Sequence, residues 1–331
     1  MTGAILTSCT NEQVHTASHG STTAVAHSEQ ALNASPTNYE PINAAPLYAA
    51  AFGIPDGMPL DEWVRDREDA AWMFLPRVYL LWKSRPNPDQ LEWLTEEFGM
   101  SPSEFVEWVE ENKDAMALLI AGSGADHVDF ADFRVRDLRE IGINDLLIRN
   151  AYDFLFAAAI HAASERRAVA AREYLIASVR VFIQMSERRK EFYGVDLAYR
   201  MVREILRYSW ELDLQAILDG ATRHAILAEL NRLSPDDPFG VMDAVQREIE
   251  WIFLVNPVEI HCQQIIWDYV QACFAIWDDP DAWNRIEFLK SNDPHDCLKH
   301  AWTVSSAWHA DHFGRQALRE LIDLLEQHVD G

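Results

Sequence analysis

From residue 61 onward, apolar positions recur at three- and four-residue spacings, the pattern of helices that bury one face and wet the other. Between Ser101 and Gly122 these positions are Phe105, Trp108, Val109, Met116 and Leu119, leaving Glu107, Glu110, Glu111 and Asp114 for water. The spacing predicts one amphipathic helix from Ser101 to about Ala121. Asn144 opens a second, Asp145 to Ser164, which contains the richest apolar stretch of the chain, Phe154 to Ala163. A third, from about Glu165 to Glu191, places Leu175, Val179, Phe182 and Ile183 opposite Glu173, Arg180, Gln184, Glu187 and Glu191. Further helices are expected over 196–218, 221–232, 238–255, 257–277, 280–290, 294–313 and 315–328.

A repeated device punctuates them, a capping residue followed by proline at the first helical position. It occurs at Asn87-Pro88, Ser101-Pro102, Asp237-Pro238, Asn256-Pro257, Asp279-Pro280 and Asp293-Pro294, and Ser101 with Glu104 completes a capping box. Period-two runs of Val and Ile bounded by hairpin turns are missing, so the fold class is all-α. Helices of these lengths on short turns pack as antiparallel hairpins, in a multi-helix bundle or an irregular α-solenoid. Residues 1–60 hold no Lys or Arg and only the acids Glu12, Glu29, Glu40 and Asp56. Without periodic apolar residues to offset ordering entropy, residues 1–58 read as a disordered or loosely ordered arm. A smaller helical portion is expected over 59–122 and the main helical domain over 143–331, divided by the loop from Gly122 to Gly142.

Charge narrows the function. With 28 Lys+Arg against 53 Asp+Glu the formal net charge is −25, which repels nucleic acids and anionic membranes alike. No segment reaches the roughly 18 apolar residues that cross a bilayer. The four cysteines, Cys9, Cys262, Cys273 and Cys297, form no C-x-x-C or zinc-ribbon spacing, so disulfides are not expected and a reducing, cytoplasmic setting is. The alternative compartment follows from the charge-poor arm, which matches the start of an effector exported without a cleaved signal.

Candidate chemistry concentrates near the C-terminus. His309 and His312 stand three apart on one expected helix, and His261, His295 or His300 can supply a third nitrogen to a divalent ion such as zinc, iron or manganese. Metal-bound water attacking an ester is the corresponding reaction. His295-Asp296 with Lys299 resembles the histidine–aspartate stretch of HD-domain phosphohydrolases, although Asp296 also suits the first turn of a helix starting at Pro294. Glu259 beside His261 falls likewise in the first turn of a helix starting at Pro257. A basic island over 165–207 holds Arg166, Arg167, Arg188, Arg189, Arg200 and Arg203, whose forks can clamp a phosphate or a partner's carboxylates. The 12 tryptophans suit a helical core or interface anchors. Nucleotide-binding glycine loops, the serine-hydrolase elbow and the zincin motif are missing. The leading expectation is an acidic, cofactor-free protein-interaction module, of inhibitor or immunity type, that masks the basic surface of a protein partner. A metal-dependent helical enzyme is the alternative, and an exported effector the second.

Overall fold

The computed structural model describes residues 41–55, 58, 63, 70–83, 99, 101–129, 142–187, 192–211, 218–235, 237–255, 258–279, 281–292, 297–298 and 302–327. Their helices, in chain order, are α1 (Ala45–Ala51), a 3-10 helix (Ala70–Phe74), α2 (Leu75–Lys83), α3 (Pro102–Glu111), α4 (Lys113–Ser123) and α5 (Gly142–Ser164). Then follow α6 (Ala168–Glu187), α7 (Phe192–Glu211), α8 (Gly220–Leu230), α9 (Val241–Val255), α10 (Ile260–Phe274), α11 (Ala282–Ser291) and α12 (Trp302–Glu326). No strand occurs among the described residues, and the all-α expectation holds.

The axis of the fold is α5. It is apolar on nearly every side, and such a helix must be surrounded. From Leu147 to Ala162 its residues are buried without a break, enclosed by α1, α2, α4, α6 and α7. Its closest partner is α6, reached through a tight turn at Arg166 (φ 59°). There the Arg167 N–H bonds to the Ala162 carbonyl (2.8 Å) and the Arg166 N–H to the Ala163 carbonyl (2.9 Å), the Schellman closure with arginine at the left-handed position glycine usually fills. Beyond α7, the long helix α12 adds a second layer with α8, α9 and α11.

Several expectations are corrected. The helix expected over 101–121 is two, α3 and α4, broken at Asn112, whose side-chain Nδ2 and backbone N–H both bond back to the Trp108 carbonyl (2.9 Å each). Conversely, the helices expected over 294–313 and 315–328 are joined in α12. Gly314 does not end it: the Phe239 ring lies so close that an added Cβ would fall 2.7 Å from it. The capping box at Ser101 forms, but Asp237 and Asp279 stand several residues before their helices, accepting from Val241 N and Asp281 N (2.9 Å each). The starts at Asn87, Asn256 and Asp293 lie outside the described residues. Glu259 does not sit inside a first turn; it precedes α10, which begins at Ile260.

The arm's expected boundary at 58 also moves. Residues 42–331 form one compact unit, and α1 within it buries Ala45, Tyr48, Ala49 and Ala51. Tyr48 Oη donates to Gln184 Oε1 (2.6 Å), and Gln184 Nε2 donates to the carbonyls of Gly122 (3.0 Å), Ala125 (3.2 Å) and Ser123 (3.3 Å), satisfying the open end of α4. The loop expected to divide two portions is likewise no break in packing, since α5 touches α1, α2 and α4. Finally, the expectation of no disulfide fails: Cys262 and Cys297 are bonded, with Cα atoms 5.1 Å apart, and Cys273 is a buried free thiol. Their 35-residue separation hides this pairing from any spacing rule, because α11 lies between them in the chain.

Candidate functional site

Charge enters the core between α2, α5 and α7. Arg149 and Asp153, one helical turn apart on α5, are both almost fully buried, their Nε and Oδ1 3.0 Å apart. Arg77 of α2 reaches Asp153 Oδ2 (2.8 Å) and Glu204 Oε1, and Glu204 of α7 also accepts from Arg149 Nη2 (2.6 Å). Two guanidiniums and two carboxylates thus close a ring across three helices. Burial pushes the Asp153 carboxyl up to about 8 and the Glu204 carboxyl upward too, against the pull of Arg77.

Glu204 is also the floor of a surface groove between α7 and α12. The groove encloses about 730 Å³ and is lined by Tyr199, Arg200, Arg203, Leu206 and Arg207 on one wall and by His309, Phe313, Gln316, Ala317 and Glu320 on the other. Residues 199, 203, 206 and 207 recur at helical spacing, which is why one face of α7 gathers the arginines. Arg200 pairs with Asp196 (2.7 Å), whereas exposed Arg203 donates to the Tyr199 hydroxyl (2.7 Å) and lies over its ring. At the opposite lip, the His309 ring meets Phe313 (4.4 Å between centroids) and Trp283 (5.4 Å), and all three rings are exposed.

The other flank of α12 borders a second cavity of about 750 Å³, walled by Trp277, Trp308, Pro235, Pro238, Leu318 and Ile322 with His312, Arg315 and Arg319. Beside it, Trp277 Nε1 donates to Asp311 Oδ2 (2.8 Å), and Arg315 Nε lies 2.7 Å from the same oxygen. Asp311 is 1% exposed, and burial raises its carboxyl pKa despite Arg315.

The structure therefore regroups the sequence candidates. His309 faces the arginine groove while His312 stacks on Trp308 (4.8 Å, 16°) beside the second cavity. Three apart, they straddle two sides of α12. Neither joins a cluster of three metal-capable side chains among the described residues; His261 does, with Cys262 and Cys297. His295, His300, Arg188 and Arg189 lie outside the described residues. Exposed Arg166 serves the turn after α5, and Arg167 pairs loosely with Glu110 (3.4 Å). Arg200 and Arg203 meet His309 in the groove, a juxtaposition of two groups 106 and more residues apart that no local pattern carries. Asp153 and Arg149 were not singled out from the sequence, although a lone acid one turn from an arginine inside an apolar run is a readable signal. Compared with protein-family models, with curated proteins and with solved structures, the chain matches none.

Proposed function

We propose that the chain is a helical protein-interaction module whose α7/α12 groove receives an acidic segment of a partner protein. The observation that carries this reading is the lining: Arg200, Arg203 and Arg207 face His309 and Phe313 in a chain of net charge −25. Arginine and aromatic side chains are the residues that dominate binding energy at interfaces, and guanidinium forks match carboxylates. The buried ring beneath fixes Glu204 and so the register of α7 against α2 and α5. A pull-down at low salt, run beside an Arg203→Glu/Arg207→Glu variant, tests it. The expected partner stays on the wild-type protein and leaves with the variant or with rising salt. A partner kept equally by the variant, or none kept by the wild type, refutes the groove.

A second reading rests on α3, where Glu104, Glu107 and Glu111 are exposed with Asp114 of α4. This acidic face suits a partner with a basic surface, as an inhibitor or immunity-type protein would have. Glu104→Gln/Glu107→Gln/Glu111→Gln should then release a basic partner that the groove variant retains. For the compartment, no helix among the described residues is long and apolar enough to cross a membrane. Cytoplasm and export without a cleaved signal differ in redox state, and a Cys262–Cys297 bond persists in the oxidising one. Alkylation of thiols at lysis separates the two.

A further inference from the structure

The cluster at the start of α10 is built as a ligand set. Cys262 and His261 lie in the first turn of α10 and buried Cys297 on the segment after α11, and one ligand atom from each falls within 4.8 Å of the others. The orientation of the imidazole matters most. His261 Nδ1 lies 3.1 Å from Glu259 Oε2, and the tautomer with its proton on Nδ1 donates to that carboxylate. Nε2 then holds the lone pair, and Nε2 is the atom that stands 3.6 Å from Cys262 Sγ. A carboxylate holding the far nitrogen of a histidine is the outer-shell arrangement that orients imidazole ligands toward zinc.

We propose that the reduced chain binds one zinc ion through Cys262 Sγ, Cys297 Sγ and His261 Nε2, with water in the fourth position, and that the Cys262–Cys297 disulfide is the metal-free state of the same site. The two states exclude each other, because two sulfurs on one tetrahedral ion stand about 3.8 Å apart with zinc–sulfur bonds of about 2.3 Å. In the cell the step is thiol–disulfide exchange with a dithiol. Two electrons and two protons pass from it to the Cys262–Cys297 bond, the dithiol leaves as its own disulfide, and zinc then displaces both thiol protons. This assignment is independent of the α7/α12 groove.

The test uses the full chain reduced with a trialkylphosphine, which takes oxygen from water to become the phosphine oxide as the disulfide becomes two thiols. Cobalt(II) alone is titrated in under exclusion of air, and zinc is then added. One cobalt per chain is expected, with a sulfur-to-cobalt charge-transfer band that zinc abolishes and that the unreduced chain lacks. Cys297→Ser should lose the band, exposed His261→Ala should bind at least ten-fold more weakly, and Glu259→Gln about 10- to 100-fold more weakly, all with unchanged helicity by circular dichroism. Absence of the band in the reduced wild type, its survival in Cys297→Ser, or unchanged affinity in His261→Ala would overturn the site.

Discussion

Replacing Arg149 with Met tests whether the buried ring is held together by its charge balance. Arg149 and Asp153 are both almost fully buried, and the ring pairs two guanidiniums with two carboxylates. Arg149→Met leaves both carboxylates to Arg77 alone, and an uncompensated buried charge costs about 3–5 kcal/mol. Asp153→Leu leaves the opposite excess at a similar cost of about 3–5 kcal/mol. The double variant keeps the Arg77–Glu204 pair, whose charges cancel, and exchanging a buried pair for apolar groups is often near neutral. Its loss should therefore be under about 2 kcal/mol, far less than the sum of the singles. With a urea slope of about 3 kcal/mol/M, each single variant lowers the midpoint by about 1–2 M. The melts belong at pH 9, above the Asp153 value of about 8, where that carboxyl is ionised. At pH 6 the Arg149→Met loss should shrink, because Asp153 takes up a proton and discards the excess charge. Additive losses, or single variants within 1 kcal/mol of the wild type, would refute the charge-balance argument.

Three further outcomes follow from the packing. Arg166→Gly should raise thermal stability by about 0.5–1 kcal/mol, since glycine enters the left-handed region without the Cβ penalty; a lower melting temperature would contradict it. Gly122→Ala should cost about 1–3 kcal/mol in a denaturant melt, because the new Cβ would lie 2.6 Å from the Tyr48 ring, and Gly220→Ala, where no atom lies within 4 Å, should not. His161 is buried at the end of α5, and burial with the nearby charges of Arg167 and Lys83 lowers its pKa below 6.5. The unfolded chain then takes the proton first, so stability falls as pH drops through 6.5. His161→Gln should flatten that slope between pH 7 and pH 5, as measured by the melting temperature.

Periodicity carried the fold because it is a local property. The apolar run of α5 and the split faces of α6 are written in adjacent residues, and the helices appear where those residues lie. Boundaries were less legible, for reasons that are also physical. Asp-Pro marks a turn that ends in a helix as readily as the helix start itself, as Asp237 and Asp279 show. A glycine inside a helical pattern can serve close packing instead of ending the helix, and at Gly314 the Phe239 ring comes that close. Residues 42–55 lack charge and strong periodicity, yet Tyr48 anchors them from a distance through Gln184, 136 positions on. The sites were less legible still. His309 was singled out for a metal beside His312, but the two side chains line different pockets, and α7 decides what His309 faces.

The ring of Arg77, Arg149, Asp153 and Glu204 sets how this chain can be cut. Its members come from α2, α5 and α7, so any fragment that ends before residue 204 carries two guanidiniums into the interior against a single acid. A fragment that starts after residue 77 carries the reverse imbalance. Limited proteolysis should accordingly release no stable fragment that holds α2 without α7, or α7 without α2. The helices before and after residues 122–142, a natural place to look for a hinge from composition alone, are then parts of one electrostatic lock.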